Sequence, residues 1–167
     1  MTEARIGCWG CQYKHWRGAF YPADLPSSRW RKVNIERLET FVRALPPRRR
    51  QAIEFRDASW YVDEVFALLR QHRVALCLHD MAGSATGQLT GGPFAYVRCH
   101  GPQKYRGRCD DSAPNSWAGW MAEQLEAGRP VYAYLNNDIG AQAPHDAVRL
   151  RAMLAARQRA PAHWRTA

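Results

Sequence analysis

Lysine is nearly absent from this chain: Lys14, Lys32 and Lys104 are its only three, against 21 arginines. Acids are scarce as well, 15 against 24 basic residues, so the formal net charge is +9. An excess of that size is the footprint expected of a phosphate-bearing or nucleic-acid partner. Two features temper it. The one-sided use of arginine in an alanine-rich chain reads as coding bias. The basic residues also form no single patch: Arg29, Arg31 and Lys32 make one cluster and Arg48, Arg49 and Arg50 another, both beside prolines. A nucleic-acid partner is left open without being favoured.

Long apolar runs are missing. No stretch approaches the ~18 residues of a membrane span, and the opening MTEARIGC has no basic segment followed by an apolar one, so a soluble cytoplasmic protein is expected. Five cysteines, an odd number without an export signal, disfavour a disulfide framework. The close pair Cys8 and Cys11, with His15 behind it, lacks the second pair a structural zinc site needs. Nor do Gln12 and Tyr13 begin a helix whose dipole would activate a thiol. No metal site is therefore assigned, the histidines and acids named below could hold a divalent ion or nothing, and the cofactor is left unknown. Cys77 and Cys99, flanked by apolar residues, read as core. Average hydrophobic content, 46%, excludes disorder, and 167 residues suit a single domain.

What is present alternates. Strand-like runs at Ala4–Cys8, Gln51–Phe55, Val74–His79, Phe94–Cys99 and Pro130–Leu135 are separated by loops and helical patterns. Helices are expected at Asn34–Leu45, Val62–His72, Ser116–Ala127 and His145–Arg157. Asn34 would cap the first, with Ile35, Leu38, Phe41, Val42 and Leu45 as its apolar face and Pro46 and Pro47 as its stop. Trp117 and Trp120 sit at helical spacing and read as core. Strands alternating with helices imply parallel β/α units.

Each strand after the first ends in polar residues: Glu54 and Arg56, His79 and Asp80, Arg98 and His100, then Asn136, Asn137 and Asp138. Parallel α/β folds bind ligands at the carboxyl ends of their strands, so the four clusters are expected to converge. Alternation puts Glu54 and Arg56 on one side, as it does Tyr96, Arg98 and His100, and Tyr132, Tyr134, Asn136 and Asp138. Arginine, histidine, carboxylate and amide together suit an anionic or sugar-like ligand. Tyr13, Trp16, Trp60 and Tyr105 lie in loops, where they would either stack on a ligand ring or close the hydrophobic core.

The blocks IGCWGCQYKHWRGAFYPADLP at the start, IEFRDASW at Ile53–Trp60, ALCLHDM at Ala75–Met81, YVRCHGP at Tyr96–Pro102 and YAYLNND at Tyr132–Asp138 carry a resemblance. In type and order they resemble the bacterial YecE-like family, domain of unknown function 72, over most of the chain from Arg5 to Leu154. The resemblance implies a TIM-like β/α barrel and no assigned activity. The chain departs from it in length: Trp30 is followed almost at once by Asn34, where the family carries further β/α units. A closed barrel of this kind has eight strands. The expectation is one domain over residues 1–167, lacking a segment between about 30 and 34, whose sheet is an incomplete or open barrel of about five parallel strands. Trp9 and Cys11 stand at the family's Ser and Trp positions, Asp57 where a His is usual, and Asp146 where an Asn is usual.

Two functional readings follow. In the first, the rim is the site of an enzyme or degenerate enzyme acting on an anionic, phosphate-bearing or sugar-like substrate. Its catalytic set is Glu54, His79, Asp80 and His100, with His100 or Glu54 as base. Arg56 and Arg98 clamp the anion, Asn136 orients it, and Tyr13, Trp16, Trp60, Tyr105, Asn137 and Asp138 complete the binding set. In the second, the chain is a non-catalytic binding module or decayed paralogue. Open sheet edges also raise the expectation of self-association.

Overall fold

The structure is a computed structural model that describes residues 32–46, 48–81, 86, 88–89, 92–103, 107–108 and 112–159, with positions 18, 23–24, 26 and 29 ahead of them. The chain divides into two units, residues 1–33 and 34–167. In the first, the Arg29 N–H donates to the Pro26 carbonyl at 2.9 Å in a turn. The strand expected at Ala4–Cys8 and the side chains of Tyr13, Trp16 and Tyr105 lie outside the described residues. Everything below concerns the second unit.

Helix α1 spans Ile35–Ala44. Asn34 caps it as expected, its side-chain oxygen accepting from the Arg37 N–H at 2.7 Å. Glu36 in the first turn and Arg43 in the last complement the helix dipole, and Leu45 ends it in the extended conformation that Pro46 demands. The expected apolar face is only partly used: Leu38 and Val42 are buried, whereas Phe41 is 52% exposed and Ile35 also lies open. The cause is position. Helix α1 packs on helix α2 (Asp63–Gln71), and that contact takes up only part of its apolar face.

The strands are β1 (Gln51–Ile53), β2 (Val74–His79), β3 (Ala95–Cys99) and β4 (Val131–Leu135). They lie side by side in the order β1-β2-β3-β4, every pair parallel. The molecule is therefore an α/β protein with a four-stranded parallel sheet, open at β1 and β4 among the described residues. Strand β2 is buried at all six positions, as a central parallel strand covered on both faces must be, and its composition VALCLH is correspondingly apolar. Edge strand β4 is less protected, with Tyr134 49% exposed.

Helix α3 spans Ser112–Glu126 and α4 spans Gln142–Arg159, and the two pack together. Both start earlier than the apolar pattern predicts, at 112 instead of 116 and at 142 instead of 145. Pro114 and Pro144 fall in their first turns, where a missing N–H is no loss, so neither proline delays the start. Trp117 and Trp120 are buried and meet edge to face, 5.7 Å between ring centres. No helix among the described residues is long and apolar enough to cross a membrane.

Gly92 shows how tightly the segment before β3 lies on the sheet. Its φ is +80°, and a Cβ there would stand 2.7 Å from the Ala75 Cα and 2.9 Å from the Val74 carbonyl oxygen. Only glycine permits this crossing over the start of β2.

Candidate functional site

Register decides which strand-end side chains meet. His79 of β2 is level with Arg98 of β3, and Arg98 with Tyr134 of β4, while Cys77, Tyr96 and Tyr132 form the row behind. Alternation from Ile53, level with Leu76, carries Glu54 beside Cys77 and brings Arg56 onto the same side. The rim that results is built from the ends of all four strands.

Glu54 is its centre. One carboxylate oxygen meets the Arg98 guanidinium at 2.7 Å and the other meets Arg56 at 2.5 Å. The Cys77 thiol points at the Arg98-facing oxygen from 3.6 Å. The Nε of Arg98 donates to the Asn136 side-chain oxygen at 3.1 Å, so that β1, β3 and the end of β4 are joined through one arginine. Burial works against the charge on Arg98, but the hydrogen bond and charge of Glu54 outweigh it and raise its pKa. With two guanidiniums and one carboxylate, the cluster keeps a net positive charge.

His79 is fully buried under this layer. Its Nε2 lies 3.2 Å from the Phe55 carbonyl, which has only lone pairs to offer, so Nε2 carries the proton and Nδ1 is left as an acceptor. That Nδ1 is buried and has no hydrogen-bond donor among the described residues. Burial, before any charge, pulls the His79 pKa below its ordinary value and favours the neutral ring. The same Phe55 carbonyl accepts from the Tyr61 hydroxyl at 2.8 Å, and burial, then the Glu54 charge, push Tyr61 up to about 12. Thr86 clips the strand end, accepting from the His79 N–H at 2.9 Å.

The ring of His100 stands edge-on to that of His79, 6.1 Å away, and is also fully buried. Asp80 holds it: one carboxylate oxygen accepts from the His100 N–H and lies 3.5 Å from Nδ1. Cys77 is pushed up, first by burial and then by Glu54, so its thiol stays protonated. Tyr96 stacks on Tyr134 at 5.2 Å and is raised in the same direction by its burial.

The remaining predicted residues are placed apart from this cluster. Trp60 is buried in a single 3-10 turn, Ala58–Trp60, with its ring flat on Phe55 at 4.6 Å; it closes the core beneath the rim. Asn137 is fully buried and its amide donates to the Gly107 carbonyl at 3.0 Å and to Asp146 at 2.8 Å. Asp146 in turn meets Arg149 at 2.6 Å, so this residue, singled out in the sequence as an exchange, forms a tie between β4 and α4. Asp138 is exposed in the turn that its carbonyl closes with the Ala141 N–H. Cys77, read as core, is buried as expected and in addition faces Glu54, while Thr86 went unnoticed because it lies seven residues beyond its partner in a loop without periodicity. Among the described residues no group of three or more His, Cys, Asp or Glu stands close enough to hold a metal ion.

The model of the family described as "Protein of unknown function DUF72" matches residues 25–166. No curated protein matches the sequence. Among solved structures, a DUF72 family protein from Thermotoga maritima is similar at a TM-score of 0.66 and 22% identity, over 81% of this chain and 55% of that one. Two structures of a DUF72 family protein from Enterococcus faecalis give TM-scores of 0.59 and 0.57 at 15% and 18% identity. Each match covers 72% of this chain and 51% or 53% of the other. The chain thus spans about half the length of these relatives and shares their fold.

Proposed function

The chain belongs to the DUF72 family, and from that membership and the rim geometry we propose that it binds an anionic small molecule, phosphate-bearing or sugar-like, at the carboxyl ends of its strands. The observation that carries this reading is the Arg56–Glu54–Arg98–Asn136 chain. A lone carboxylate shared between two guanidiniums fixes the direction of both while leaving surplus positive charge for a ligand. In this reading Arg56, the more exposed of the two, makes first contact with the anion, and Asn136 turns the ligand through its amide. His79 accepts a proton at Nδ1, the buried acceptor that no described residue satisfies. Glu54, whose oxygens are both taken by arginines, acts as the anchor of the clamp instead of as a base.

The same proposal takes the sheet as part of a β/α barrel. Four parallel strands in sequential order, joined in part by helices, are what half of an eight-stranded barrel would contain. It also takes the shortened stretch around residues 30–34 as the place where further units of the family are missing. Buried free thiols at Cys77 and Cys99 fit a reducing cytoplasm.

Calorimetric titration with glucose 6-phosphate, with inorganic phosphate and glucose as separate arms, tests the binding site. The expected result is saturable binding of a phosphate-bearing probe that weakens at least tenfold in both Arg56→Ala and Asn136→Ala, with unchanged circular dichroism. Absence of binding in every arm, or wild-type affinity in both variants, removes the proposal.

A further inference from the structure

The amino end of the sheet carries a second concavity, of about 600 Å3, unrelated to the rim. It is assembled from three separate segments. The end of α1 and the loop after it bring Arg43, Arg48, Arg49 and Arg50; the turn between α2 and β2 brings His72 and Arg73; Pro93 and Phe94 approach ahead of β3. Among the described residues that line it, none is acidic.

These arginines differ from those of the rim. Arg43 is answered by Glu39, one turn back on its own helix, at 2.6 Å. Arg50 is steadied without being neutralised: its Nη1 donates to the Tyr132 hydroxyl, and its guanidinium lies 5.6 Å from the centre of that ring. Neither Arg48 nor Arg73 has a carboxylate partner among the described residues. The Nε2 of His72 is buried and has no hydrogen-bond partner among the described residues. Like charges gathered at one concavity repel one another, and a bound polyanion would turn that repulsion into attraction.

Backbone geometry marks the same spot. Arg73 has φ +56°, at the position just past the α2 C-cap where glycine is the usual choice. An L side chain there is strained, and Arg73 is exposed, so burial in the core does not repay the strain. The strained turn instead projects a guanidinium from the rim of a concavity that already holds others.

We propose that this cavity binds a polyphosphate group, with Arg48 and Arg73 as its principal guanidinium donors, Arg50 held in place by Tyr132, and His72 as an added donor through Nε2. Guanidinium forks match phosphate oxygens in pairs, and the volume lies in the range of small-molecule sites, beyond what a single phosphate fills. Such a group has two chemical sources, a free polyphosphorylated compound or the backbone of a nucleic-acid strand.

The test uses the full chain at low and at moderate salt, titrated with tripolyphosphate by calorimetry and with a labelled twelve-nucleotide oligouridylate by fluorescence anisotropy. Binding is expected to fall at least tenfold in the Arg48→Ala/Arg73→Ala double variant and to persist in Arg151→Ala, an exposed arginine on α4. Arg73→Gly, which removes the side chain and relaxes the turn, should also weaken binding, so a folding defect cannot mimic the result. Tripolyphosphate binding without the oligonucleotide assigns a free compound; tighter oligonucleotide binding, with a steep loss on adding salt, assigns a strand. Failure of both probes to bind, or equal losses in Arg151→Ala and the double variant, would overturn the proposal. The same losses are expected when the double variant is measured in an Arg56→Ala background, where the carboxyl-end site is already weakened, which separates the fate of this site from that of the other.

Discussion

The two ends of the sheet hold arginines in opposite ways. At the carboxyl end Arg56 and Arg98 share Glu54, and Arg98 is further bonded to Asn136. At the amino end Arg48 and Arg73 face a cavity with no acid among its described lining. The carboxyl-end groups continue the alternation of their strands, so neighbours in register neutralise and fix one another. The amino-end groups come from helix ends and loops and have no such register. Their positive charges accumulate in solvent, where water and salt screen them. A charged cluster can therefore be part of the fold at one end and a burden on it at the other, within the same sheet.

Removing one arginine from each end breaks this comparison most sharply. Arg98→Ala leaves Glu54 part-buried with only Arg56, and urea denaturation should show a loss of about 3 kcal/mol, in the range for breaking a shielded pair. Arg48→Ala, at an exposed position, should move stability by no more than about 0.5 kcal/mol. Equal losses would mean that the amino-end charges are also structural.

A smaller effect of opposite sign is expected at the amino end. Arg73→Gly relieves the φ of +56° and should stabilise the protein by about 1 kcal/mol in the same measurement. Stabilisation together with weaker tripolyphosphate binding would show that this residue serves the cavity at the expense of the fold.

The smallest expected effect is the pH dependence of the carboxyl end. The folded state holds the His79 pKa below its unfolded value of about 6.5, so the folded protein binds the proton less readily. This contribution to stability is whole above pH 6.5 and is lost as pH falls from there through the folded value. Denaturation midpoints should therefore decline through that window in the wild type and less steeply in His79→Gln. An identical slope in both would place the acid sensitivity elsewhere.

Much of the architecture was legible because it rests on local chemistry. The cap at Asn34, the apolar run Val74–His79 and the polar residues closing each strand are signals carried within a few positions, and each described helix and strand from α1 onward lies within a few residues of its expected place. Strand alternation likewise placed Glu54 with Arg56, and Tyr96 with Arg98, on common sides. The early starts of α3 and α4 were hidden because a proline reads as a breaker until its place in the first turn is known. Phe41 read as core because periodicity reports which face is apolar and not whether anything covers it.

The candidate site divides in the same manner. Its strand-end members were visible, but their partners were not. Asn136 and Asn137 are adjacent and chemically identical, yet one reaches Arg98 and the other ties Asp146 on α4 to the end of β4. Arg73, alone among polar neighbours, gave no sign of joining the triplet at Arg48–Arg50. By itself the sequence determined the elements, their parallel alternation and the kind of residue at each strand end, because capping, periodicity and burial preference act over one or two turns of chain. Only the tertiary structure decided which charges are neutralised. That depends on register between strands and on two loops meeting at the amino end, contacts between residues some twenty to forty positions apart that no local pattern encodes.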